Sequence, residues 1–162
     1  MTRKKKIAIW AAVLAVLIGI VVALRLVGWN QTYGLSAEVI AGERTPTAEE
    51  TIRLYFYYCN RQNGEKVQQI LGAKCEDVIS ESYFEDLKIL GALKLLEIQD
   101  SGAWETPEEI GAFYQVRDYY VTYNQSLLYA SSRETAGSEC YRFILAQERQ
   151  DGPWMIYSIG DG

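Results

Sequence analysis

The chain contains no histidine. That absence removes the commonest general base and the commonest metal ligand, together with every nucleophile–histidine arrangement. Its three cysteines, Cys59, Cys75 and Cys140, match no zinc-ligand spacing, and there is no histidine to complete a mixed site. They permit three different single disulfides and always leave one thiol over. They read first as small buried hydrophobes, with Cys59 and Cys75 the favoured pair in an oxidising compartment. No cysteine precedes Cys59, which excludes lipidation of an N-terminal cysteine. A glycine-rich phosphate loop and a Walker-type lysine are also missing. The acidic doublets Glu49-Glu50, Glu76-Asp77, Glu85-Asp86 and Glu108-Glu109 lack the spacing of a calcium loop and read as solvated surface. No metal and no cofactor is expected.

Cations are scarce beyond the first 28 residues. Five of the 16 basic residues lie in that stretch with no acid beside them, which leaves 11 basic against 21 acidic residues in the remainder. A net charge near minus ten disfavours nucleic acid, which needs a basic footprint, and docking onto anionic lipid headgroups, and it suits a soluble domain held off the membrane surface. All 12 tyrosines also fall in this part, enough aromatic area for one core of about 115 residues.

What the N-terminus does have is Arg3-Lys4-Lys5-Lys6 followed by eighteen uncharged, nearly all apolar residues, Ile7 to Leu24. Four Ile, four Val and three Leu favour bilayer insertion by about 3 to 6 kcal/mol. Eighteen helical residues reach roughly 27 Å, slightly short of a ~30 Å hydrocarbon core. Snorkelling of Arg25 lets the span run on towards Trp29, and Trp10 and Trp29 fall near the two interfaces. Residues 1–6 are therefore expected to be a cytoplasmic basic tail, 7–28 a single transmembrane helix, and the rest extracellular. The rival is a cleaved signal peptide. Val21-Val22-Ala23 is a passable cleavage motif, but it lies inside the apolar run. Ala11, Ala15, Gly19 and Ala23 place small side chains along one stripe, a geometry that permits a membrane homodimer.

Residues 29–46 mix Gly, Ser, Thr and Pro with scattered charge and read as a tether or partly ordered lead-in. Thr47-Ala48-Glu49-Glu50 has capping-box form, and Ile52, Tyr55, Phe56 and Cys59 follow at helical spacing. Asn63-Gly64 breaks that helix. A shorter one carries Val67, Ile70 and Leu71 inward before Gly72, and residues 75–88 suggest further helical turns. Strands follow. Leu90 to Asp100 forms the first, where the run Leu93, Leu95, Leu96, Ile98 shifts face and implies a bulge or a strand covered on both sides, and Ser101-Gly102 is expected to end it. A polar connection at 106–109 leads to a second strand, Gly111 to Tyr123, and a long loop fills most of 125–139. Cys140 to Arg149 puts Tyr141, Phe143 and Leu145 on one face. Asp151-Gly152 then turns the chain into a last strand, Trp154 to Ile159, with Trp154 and Ile156 on one side. Helices followed by antiparallel strands define an α+β domain over 47–162, two to three helices packed on a curved sheet of about four strands.

That element order, opening on Thr47-Ala48-Glu49-Glu50 and closing on Asp151-Gly152-Pro153-Trp154-Met155-Ile156-Tyr157-Ser158-Ile159-Gly160, resembles the nuclear transport factor two-like (cystatin-like cone) superfamily. More narrowly it looks like a group of membrane-anchored or secreted Gram-positive domains without assigned function. The resemblance implies a cone-shaped domain. It says little of function, because the superfamily hosts isomerases, dehydratases, transport adaptors and extracellular modules.

Enzymes of that superfamily place ionisable groups inside the cone. Asp118 is the candidate here, on one strand face with Tyr114, Val116, Tyr120 and Thr122, where a carboxylate of raised pKa could act as a base beside phenolic donors. The opposite face is equally apolar, so Asp118 could instead face water or pair with Arg117 or Arg142. Three readings follow. The first is a non-enzymatic extracytoplasmic binding or scaffolding module for a protein or small-molecule ligand. The second is a small-molecule isomerase or dehydratase using Asp118, Tyr114 and Tyr120, and the third an accessory subunit of a cell-envelope complex.

Overall fold

The N-terminal helix α1 (Arg3–Asn30) is apolar all round, and none of its membrane-length stretch is buried against the rest of the chain. This is a computed structural model that describes residues 3–72, 93–103, 113–125 and 137–161. Ile7, Trp10, Leu14 and Val16 are 60%, 72%, 59% and 61% exposed. The helix is long and apolar enough to cross a membrane.

The stretch read as a tether is in part folded onto the domain. Ser36 caps the short helix α2 (Ala37–Ala41), its hydroxyl accepting from the Val39 amide, and Gly42 closes it in the left-handed conformation. Leu35 and Val39 are thereby buried against Leu54 of the next helix.

That helix, α3 (Ala48–Asn60), starts where the sequence places it. The Thr47 hydroxyl accepts from the Glu50 amide, and a Glu50 carboxylate oxygen accepts in return from the Thr47 amide at 2.9 Å. Arg44 grips the same carboxylate at 2.5 Å. Ile52, Tyr55, Phe56 and Cys59 form the expected inward stripe and are all buried. Asn63 caps α4 (Gly64–Gln68), which buries Val67; Leu71 follows into the core, while Ile70 remains half-buried.

Four strands form an antiparallel meander, β1 (Leu93–Ala103), β2 (Gln115–Gln125), β3 (Gly137–Gln147) and β4 (Met155–Asp161), in that spatial order. The β1–β2 register shifts between Leu95 and Glu97, which places the bulge where the face change in the sequence implied one. The strand does not end at Ser101-Gly102. A second shift lies between Asp100 and Gly102, and the pairing continues to Ala103 because Gly102 takes φ +99°, a conformation open to glycine. The connection from β3 to β4 turns over residues 149–152, the Gly152 amide donating to the Arg149 carbonyl, so Asp151-Gly152 forms the second half of a turn within a longer loop and not a two-residue hairpin turn. The outer edge of β4 pairs in parallel with Leu71, the Ile156 amide donating to the Ile70 carbonyl and the Gly72 amide to the Ile156 carbonyl.

The architecture is therefore α+β, with α3 and α4 against one face of the sheet. Phe56 centres the core, its ring within 5.1 to 6.2 Å of those of Tyr33, Tyr55, Tyr123 and Phe143. Tyr119, Val121, Leu145 and Ile156 complete it from the sheet, and Trp154 packs on the same cluster as Ile156. Cys59 is buried as expected, whereas Cys140 is exposed, contrary to the reading of the cysteines as buried hydrophobes. Cys75, the helical turns at 75–88, the connection at 106–109 and most of the 125–139 loop lie outside the described residues.

Candidate functional site

Strand β2 divides its side chains between two environments. Tyr119 and Val121 face α3, and the alternate residues Val116 and Asp118 face away from it. On this second face Val116 is buried with Ile144 and Ala146, and Phe113 and Tyr157 pack alongside. Asp118 is therefore outside the space between helices and sheet, yet it is only 6% exposed.

Its carboxylate is committed to Arg142. Nε of Arg142 donates to both Asp118 oxygens at 3.0 Å, and Nη2 donates to Oδ2 at 2.7 Å. The two residues sit diagonally across β2 and β3, where Tyr120 opposes Arg142 and Asp118 opposes Ile144. The hydrogen bond to Asp118 raises the arginine pKa above its ordinary value, so the cation persists at every biological pH. Tyr114 is 54% and Tyr120 36% exposed. The three residues of the proposed base-and-phenol set thus separate into one buried ion-paired carboxylate and two exposed rings. A carboxylate held this way can orient Arg142; to take a proton from a ligand it must first leave its partner.

A cleft of about 420 Å³ lies elsewhere, between the chain leaving α4 and the β3–β4 turn, lined by Leu71, Gly72, Glu148, Arg149, Pro153 and Tyr157 among others. The Tyr157 hydroxyl donates to Glu148 at 2.8 Å, and burial together with this bond pushes the phenol up to about 12. A Cβ at Gly72 would stand 2.7 Å from the Tyr157 ring, so a side chain there would have to displace that ring. A shallower depression of about 310 Å³ flanks it across Pro153 and Met155, with Arg44, Tyr58 and Trp154 in its walls. Sequence reasoning missed both; the one available signal was the Asp151-Gly152-Pro153 turn. Asp118 lines neither. Among the described residues, no group of three or more cysteines and carboxylates is placed to hold a metal ion.

A third constellation joins α1 to the domain. The Tyr33 hydroxyl donates to the Leu93 carbonyl, and the side chain of the fully buried Asn60 bonds the Leu93 amide and carbonyl as well as the Tyr33 oxygen. Arg53 donates to the Tyr33 carbonyl at 2.8 Å. Burial raises the Tyr33 pKa, so its hydroxyl stays a donor. At the end of α1, the Arg61 guanidinium lies over the Tyr57 ring at 3.6 Å and near the Trp29 ring at 5.6 Å.

No family model matches this chain, and no curated protein matches it. Among solved structures it is similar to the solution structure of a SEC-C motif containing protein from Rhodopseudomonas palustris, with 12% identity and a TM-score of 0.46, covering 83% of this chain and 91% of that one.

Proposed function

We propose that this protein is a membrane-anchored binding or scaffolding module whose folded domain lies on the extracytoplasmic side. The observation that carries it is α1, whose apolar surface is exposed along a membrane-length stretch while its last turn is joined to the domain by Arg61. The four cations ahead of the apolar run support a cytoplasmic N-terminus. The fold is taken to be a cone of the nuclear transport factor two-like kind. The pairing of Asp118 with Arg142 and the shallow clefts support a binding role over a catalytic one.

Carbonate extraction of expressing cells, followed by protease treatment of intact protoplasts, tests the reading. The full-length chain is expected in the carbonate-resistant pellet, and a tail antibody should lose its signal on protease treatment. A chain released in shortened form identifies a cleaved leader, and a protected tail reverses the topology.

A further inference from the structure

Trp29 lies in the last turn of α1, five residues beyond the end of the apolar run at Leu24, or about 7.5 Å further along the axis. With the run filling the hydrocarbon, the indole falls in the headgroup layer, where its 48% exposure is favourable. Arg61 and Tyr57 touch this indole or each other, so they share its depth. Nη1 of Arg61 donates to the Gln31 and Tyr57 carbonyls at 3.3 and 3.4 Å, which fixes the plane of the guanidinium. Its Nε and Nη2 make no hydrogen bond among the described residues. A planar cation with donors to spare, held at headgroup depth, matches the phosphodiester of the lipid headgroups beside it, a local contact that runs against the stand-off expected from the domain's net negative charge.

We propose that Arg61, stacked between Tyr57 and Trp29, binds the phosphodiester of a lipid headgroup in the leaflet from which α1 emerges, and so docks the C-terminal end of α3 on the membrane. This rests on the membrane-anchor reading. The domain is then not suspended on a tether but seated at the bilayer surface in one orientation, set by α1 and this contact together.

The test uses the full-length chain in phosphatidylcholine nanodiscs doped with a lipid bearing a gadolinium chelate on its headgroup. Backbone amide signals of residues 57–62 should weaken at least twofold more than the average of the domain. Arg61→Gln should abolish that excess and Arg61→Lys should keep part of it, with the amide spectrum otherwise retained. If a variant fails to fold, the wild-type profile decides alone. Incorporation into the disc without excess broadening at 57–62 overturns the docking and leaves the anchor standing. Failure to incorporate overturns the anchor reading, and the docking with it.

Discussion

At the scale of single residues, three positions make measurable commitments. Glu50 accepts from Arg44 and from its own helix cap, and the hydrogen bond from Arg44 is the main reason its carboxyl sits at about 2. A carboxyl held below its ordinary pKa of about 4.3 stabilises the fold fully above that value and loses the contribution as pH falls through 2. Chemical denaturation followed between pH 5 and 2 should therefore show a decline that is blunted in Glu50→Gln, which itself should cost about 0.5 to 1 kcal/mol at neutral pH through loss of the ion pair with Arg44, the amide oxygen still serving the cap. Asp118→Ala leaves the Arg142 guanidinium without its carboxylate, and because that arginine is about one-third exposed it can recover water. The expected loss is about 1 to 3 kcal/mol in ligand-free denaturant melts. An unchanged midpoint would return Asp118 to consideration as a ligand-directed group. Gly72→Ala drives a methyl into the Tyr157 ring and should cost about 1 to 3 kcal/mol. Pairing it with Tyr157→Ala should remove most of the added cost in a double-mutant cycle.

Among elements, the connection between α3 and β1 depends on one buried amide. Asn60 bonds both backbone groups of Leu93, the first residue of the edge strand, and the Tyr33 hydroxyl beside it. Asn60→Ala should cost about 2 to 4 kcal/mol and accelerate hydrogen exchange at the start of β1 more than in β3. Uniform exchange across the sheet would show that the three elements do not share this junction. Helix, hairpin and bulge were legible beforehand because each has a local cause. Thr47 and Glu50 cap each other within one turn, Asp151-Gly152 marks the reversal that closes between Arg149 and Gly152, and the face shift at Leu95 and Leu96 breaks a period of two. The extension of β1 past Gly102 was not legible, since the same glycine that ends a strand also permits a second bulge when a partner strand is available. Nor was α2, whose five residues hold together through burial of Val39 against Leu54.

For the whole molecule, the consequence is a long apolar helix continuous with a folded domain through Trp29, Arg61, Tyr33 and Asn60. Detergent-solubilised full-length protein should show protected amides across residues 33–42 in hydrogen-exchange measurements, because Leu35 and Val39 are buried and the Leu35 amide donates to the Thr32 carbonyl. Exchange at the rate of an unstructured peptide there would restore a tether and separate the domain from its anchor.

The sequence alone determined the apolar leader, the order of helices before strands and the inward stripe of α3, because hydrophobic periodicity and capping act over one turn or one strand. It could not decide which face of β2 turns towards the helices, since Tyr119 and Val121 on one side and Val116 on the other are similarly apolar. Only tertiary structure settled that, by laying Phe56 of α3 on the odd-numbered side and leaving Asp118 to meet Arg142 from the neighbouring strand. A carboxylate's partner 24 residues away depends on strand register, and register is a property of the assembled sheet.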